Sequence, residues 1–84
     1  MFERGKVVVS LAGRDKGKLL AVMREENGLV ILCDGKERPI DRPKSKNFRH
    51  VEAIGVSLTE AELSTNRALK KALGRLNAEI NGNT

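Results

Sequence analysis

Asn27-Gly28, set between the apolar runs Leu19-Leu20-Ala21-Val22-Met23 and Leu29-Val30-Ile31-Leu32-Cys33, constrains this chain more than any other feature. A two-residue connection of this type needs positive φ at both positions, which Asn and Gly tolerate and most residues do not, so it predicts a β-hairpin. The residue types of 19–24 would by themselves tolerate a helix; the turn decides for a strand. Residues 6–11, rich in valine, form an earlier strand that ends at the breaker-rich segment 12–18. Asp34-Gly35 repeats the turn chemistry, so residues 36–40 are expected to return as a short fourth strand. Pro39 lacks an N–H and puts that strand at an edge or an end. Residues 41–50 read as a polar, basic connection holding one aromatic, Phe48, and residues 51–56 alternate as a closing strand. Five short strands at this spacing predict a mainly β fold, a small barrel.

The hydrophobic period then changes. Thr59-Glu60-Ala61-Glu62 is a capping-box pattern, in which the Thr hydroxyl accepts from an orphan amide while Glu62 reaches back to the cap. Beyond it Leu58, Ala61, Thr65, Leu69, Ala72, Leu76 and Ile80 recur every three or four residues, with Leu73 beside them, making one apolar stripe. Gly74 or Asn81-Gly82 would end this helix, and the last residues are expected to fray. Eighty-four residues suffice for one domain. The expected layout is a barrel over residues 1–57 with the helix and tail, residues 58–84, packed on it or appended to it.

Sixteen Lys and Arg against eleven Asp and Glu give a net charge of +5 and a pI near 9.8, which favours a polyanionic partner. All of the excess lies in residues 1–50, which hold 12 basic and 7 acidic side chains; residues 51–84 hold 4 of each. No apolar run approaches the ~20 residues that cross a bilayer, and the first residues lack a secretory hydrophobic stretch, so no membrane association and a cytoplasmic location are expected. Cys33 is the sole cysteine and His50 the sole histidine, which excludes an internal disulfide and a four-ligand zinc site. With no nucleophile motif, phosphate-loop lysine or dinucleotide fingerprint, the expectation is a protein without catalytic residues, cofactor, metal or small-molecule substrate. The acidic pairs Glu25-Glu26 and Glu60 with Glu62 fall where a turn and a helix start place them anyway. Cys33, inside an apolar run, is expected to be a small buried hydrophobe.

The informative loop is Ala12-Gly13-Arg14-Asp15-Lys16-Gly17-Lys18. Gly13 and Gly17 permit positive φ and leave the backbone uncovered, so amides can approach a phosphate or a ribose. Arg14, Lys16 and Lys18, two residues apart, suit phosphates along one backbone, while Asp15 can orient the neighbouring cations or accept from a 2′-hydroxyl. A second cluster, Lys36, Arg38, Arg42, Lys44, Lys46, Arg49 and His50, is interrupted by Glu37 and Asp41 and can extend the same positive face. Phe48 could stack on an unpaired base, but a Phe among polar residues is expected rather to anchor its connection to the core. Arg67, Lys71 and Arg75 read as a solvated helix face. Aromatic residues make up 2% of the chain, with no Trp or Tyr, which leaves no broad stacking platform and favours recognition by shape and phosphate.

Residues 5–33, a hydrophobic strand leading into Gly13, Asp15, Lys16, Gly17 and Lys18 and out through a second strand, resemble the KOW motif of large-subunit ribosomal proteins and NusG-like elongation factors. Over roughly residues 4–50 the chain is similar to ribosomal proteins of the L-fourteen-e type, on Ala12 to Gly17, Asp34-Gly35-Lys36 and Pro43-Lys44-Ser45-Lys46-Asn47. Leu20 departs from the glycine many such sequences carry there. The resemblance implies an SH3-like barrel, structured or ribosomal RNA as ligand, and ribosomal proteins as possible neighbours. The rival expectation is a protein-interaction module using barrel and helix, in transcription elongation or ribosome-associated complexes. Peptide-binding barrels use aromatic grooves, which the composition disfavours.

Overall fold

Strand β1 (Lys6–Ser10) alternates its valines between two cores: Val7 belongs to one cluster and Val8 to the other, both fully buried. The computed structural model describes residues 2–82. β2 (Leu19–Glu26) and β3 (Leu29–Cys33) follow the same rule, with Leu20, Val22, Val30 and Leu32 on the inner side and Ala21, Met23 and Cys33 on the side that meets the helices. A strand buried on both faces reads as a continuous apolar run, which is what residues 29–33 show. Asn27 (φ 52°) and Gly28 (φ 79°) make the expected two-residue turn between β2 and β3.

β4 (Lys44–Asn47), a single 3-10 turn (Phe48–His50) and β5 (Val51–Ser57) complete an antiparallel sheet of order β4-β3-β2-β1-β5. The fold is mainly β, consistent with an SH3-like small β fold. Its ladder does not close, because β5 pairs with β1 and leaves β4 and β5 as the two edges. Register shifts at Met23 in β2 and opposite Val7 in the β1–β5 pair mark bulges that increase local twist.

The fourth strand lies elsewhere than expected. Residues 36–40 form no ladder; Lys44–Asn47, read as connection, pairs with β3 from Leu32↔Lys44 to Leu29↔Asn47. Asp34 is the cause. Its Oδ1 accepts from the amides of Lys36 and Arg38, each at 2.8 Å, so the segment curls into a side-chain-capped loop.

The C-terminal segment is two helices, α1 (Glu60–Leu63) and α2 (Asn66–Asn81), where one was expected. The capping box at Thr59 and Glu62 is present, and its backbone and side-chain hydrogen bonds from Thr59 hold the Glu62 carboxyl below its ordinary pKa. Thr65 interrupts the helix because its backbone is extended (φ −139°, ψ 160°) and its hydroxyl caps Ala68 N at 3.0 Å. Thr65 and Ala61 are therefore exposed, as is Ile80, and Leu63, off the expected stripe, is buried. Gly74 does not stop α2, which runs to Asn81; of the tail expected to fray, residues 83 and 84 lie outside the described residues. Leu63, Leu69 and Leu73 pack on Val7, Ala21, Met23 and Cys33. Truncating a fully buried leucine such as Leu69 to alanine costs ~2–5 kcal/mol. Among the described residues no helix is long and apolar enough to cross a membrane.

Candidate functional site

The loop between β1 and β2 is built by local hydrogen bonds that its glycines permit. Gly13 (φ 79°) and Gly17 (φ 85°) turn the chain, Gly17 N donates to Ser10 O at 2.8 Å and Lys18 N to Asp15 O at 2.8 Å. Gly13, Arg14, Lys16, Gly17 and Lys18 are exposed, while Asp15 turns inward with 4% of its side chain accessible. Lys46, reaching from β4, donates through Nζ to Ala12 O at 3.0 Å and steadies the base of the loop.

The loop between β3 and β4 is fixed from a different direction. Gly35 (φ 80°) lies so close to the start of α2 that a Cβ there would meet Asn66 O and stand 2.9 Å from Lys70 N. Asn66 Oδ1 also accepts from Ile40 N at 2.7 Å. Helix α2 thus holds this loop by its backbone at two points.

Arg38 joins the two loops. Its Nη2 donates to Asp15 Oδ2 at 3.0 Å, with the guanidinium 26% exposed, so the pair is largely removed from solvent. Of the two roles open to Asp15, orienting a cation is the one this geometry provides, since a carboxylate this enclosed cannot meet a ribose hydroxyl. Among the described residues Arg38 Nε is the one buried side-chain nitrogen or oxygen without a hydrogen-bond partner.

Between the loops opens a cleft of about 490 Å³ lined by Arg14, Lys18, Lys36, Arg38 and Arg42 with Asp15 and Glu37. Five cations face two carboxylates there, leaving the concavity strongly positive. Lys18 Nζ contacts Glu37 Oε1 at 2.7 Å; this hydrogen bond, more than the bare charge, raises the lysine's pKa and lowers the glutamate's. Among the described residues Arg14, Lys16, Lys36 and Arg42 have no carboxylate within ion-pair distance, so their charges face water.

The other expected contacts divide. Lys16 is exposed but stands outside the cleft lining, Lys44 and Lys46 are half-buried on β4, and Arg49 and His50 are exposed on the 3-10 turn. His50 serves the fold through its carbonyl, which accepts from Leu11 N at 2.8 Å. Phe48 does not anchor to the core: it is 53% exposed, because the turn capped by Asn47 aims it outward. Cys33 is buried, and desolvation pushes its thiol up to about 11. Sequence reasoning missed Lys70, which joins Lys18 and Lys36 around a shallow groove beside the cleft. Its position next to Leu69, at the margin of the apolar stripe, was the only available signal.

Such a cleft offers dispersed positive charge and N–H donors, spread over two loops, to a ligand with several anionic oxygens. No family model and no curated protein matches the chain.

Proposed function

We propose that this chain is a non-catalytic, cytoplasmic RNA-binding protein, of translation or a ribosome-associated setting, that grips the sugar-phosphate backbone of structured RNA in the basic cleft. One observation carries the reading: two loops far apart in sequence are tied by a partly buried ion pair, and Arg14, Lys18, Lys36, Arg38 and Arg42 surround one concavity. Phosphate contacts from Arg and Lys supply most sequence-independent affinity for nucleic acid, and fixed loops lower the cost of arranging them. The KOW-like residues Gly13, Asp15, Lys16, Gly17 and Lys18 support the same ligand class, with ribosomal RNA as the leading case. The rival use of the C-terminal helix as a partner surface is weakened because Leu69 and Leu73 are buried against the sheet.

The test is binding of structured RNA across a salt series by the natural protein and by Arg14→Ala combined with Lys36→Ala. Both side chains are exposed, so the fold should survive. The expected result is weaker binding to every sequence and a log–log salt slope shallower by ~1 per lost phosphate contact. Equal affinity and slope in the folded double variant would overturn the assignment of the cleft.

A further inference from the structure

The chain has two aromatic side chains, Phe2 and Phe48, and both line the same groove. Phe2 packs against the inner core and forms the floor, while Phe48 stands at the rim, 53% exposed. Asn47 Oδ1 accepts from Arg49 N at 2.9 Å, and Val51 N–H donates to Phe48 O, so the backbone that carries the ring is held in the short turn. Gly28 supplies a wall without a side chain: nothing lies within 4 Å of where its Cβ would be. Leu29, 37% exposed and paired with Asn47, extends the apolar surface next to it.

We infer that this groove, at the end of β2 opposite the cleft, takes a single unpaired nucleobase of the RNA whose phosphates occupy the cleft. The inference rests on the RNA reading and adds a second, chemically different subsite to it. Its volume of about 340 Å³ lies at the lower end of pockets that enclose small ligands. Charge selects the occupant. Arg49 and His50 follow Phe48 on the same exposed turn and suit the phosphates flanking a base. The acid in the groove, Glu25, is already engaged, accepting from Phe2 N at 2.8 Å. Stacking on one ring is tolerant of base identity, so the subsite would select single-stranded over paired RNA without reading sequence.

The experiment compares the natural protein, Phe48→Ala and Phe48→Trp on four probes: a short oligouridylate, the same strand carrying an abasic sugar-phosphate in place of its bases, a duplex RNA, and an apolar peptide. Phe48→Ala is expected to bind oligouridylate about tenfold more weakly, to bind the abasic strand as the natural protein does, and to leave duplex binding unchanged. Phe48→Trp, the chain's only tryptophan, is expected to lose emission on adding oligouridylate and not on adding the abasic strand. A natural protein that binds oligouridylate and its abasic counterpart equally, with Phe48→Ala matching it, overturns the base subsite and leaves the cleft standing. A natural protein that binds none of the RNA probes overturns the RNA reading itself. Tryptophan emission that responds to an apolar peptide but not to oligouridylate assigns the groove to a protein ligand and also overturns the proposal.

Discussion

Asp15 and Arg38 meet at 3.0 Å across two loops, the carboxylate 4% and the guanidinium 26% exposed, and this contact sets the spacing of the cleft walls. Removing one member of an enclosed pair strands the other, and the penalty depends on which is left behind. Arg38→Ala leaves a buried carboxylate without its cation and is expected to cost ~3 kcal/mol. Asp15→Asn frees a guanidinium that can swing toward water, so ~1 kcal/mol is expected. Urea denaturation of both variants checks the asymmetry; equal losses would contradict it.

Glu37 restrains the cleft's charge by holding Lys18 at 2.7 Å. Glu37→Gln releases that lysine and removes one of two facing carboxylates, so RNA affinity at low salt is expected to rise severalfold, the gain fading as salt screens it. The Lys18 hydrogen bond holds Glu37 below the usual carboxylate range. The natural protein should therefore keep its lower affinity until the pH falls through that depressed range. It should then converge on the variant, which binding titrations of the two proteins side by side would reveal.

Cys33 is fully buried and desolvation raises its pKa to about 11 from an ordinary 9.0. A raised folded-state value means that the unfolded chain loses its proton first. The thiol's contribution is whole below pH 9.0 and is lost as pH climbs from there through about 11, by on the order of 2 kcal/mol. Cys33→Ser does not titrate in this window. Its stability is expected to fall less steeply over that interval in alkaline denaturation curves, and Cys33 of the folded protein should resist thiol reagents at neutral pH.

Gly35 and Gly28 both have positive φ, yet differ in surroundings. A methyl at position 35 would run into Asn66 O and Lys70 N, whereas one at position 28 meets nothing within 4 Å. Gly28→Ala is expected to cost ~1 kcal/mol from backbone strain alone. Gly35→Ala adds a clash with helix backbone and should cost ~3 kcal/mol or more, while also weakening RNA binding by shifting the loop that carries Lys36 and Arg38. Thermal unfolding with parallel binding measurements separates the two.

Features legible in the sequence were those that local chemistry enforces. Asn27-Gly28 demands its turn, and Thr59 with Glu62 closes a reciprocal cap, whatever the rest of the chain does. Lys44–Asn47 carries no apolar alternation and is a strand only because β3 offers it an edge. Residues 36–40 lost their expected ladder because the Asp34 side chain holds the Lys36 and Arg38 amides and Asn66 claims that of Ile40. Thr65 fell on the stripe by spacing but behaves as Ser and Thr do at helix starts, with its side chain accepting from a backbone amide. At the site, the basic residues of the two loops were readable in the sequence, and Lys18 and Arg38 line one cleft. What spacing could not reveal is that Asp15 is enclosed, because its partner lies 23 residues downstream.

The central strands β1, β2 and β3 are covered on both faces, one against α1 and α2 and the other by the curled sheet around Val8, Leu20, Val22, Val30 and Leu32, while the edge strands β4 and β5 keep exposed residues. A visitor therefore meets the edge strands and the rims, where loops, hairpin tip and the short turn emerge, and not the central strands. Recognition in such a molecule can be rewritten by exchanging rim residues while the buried layers keep their composition, so its ligand preference is free to drift faster than its architecture.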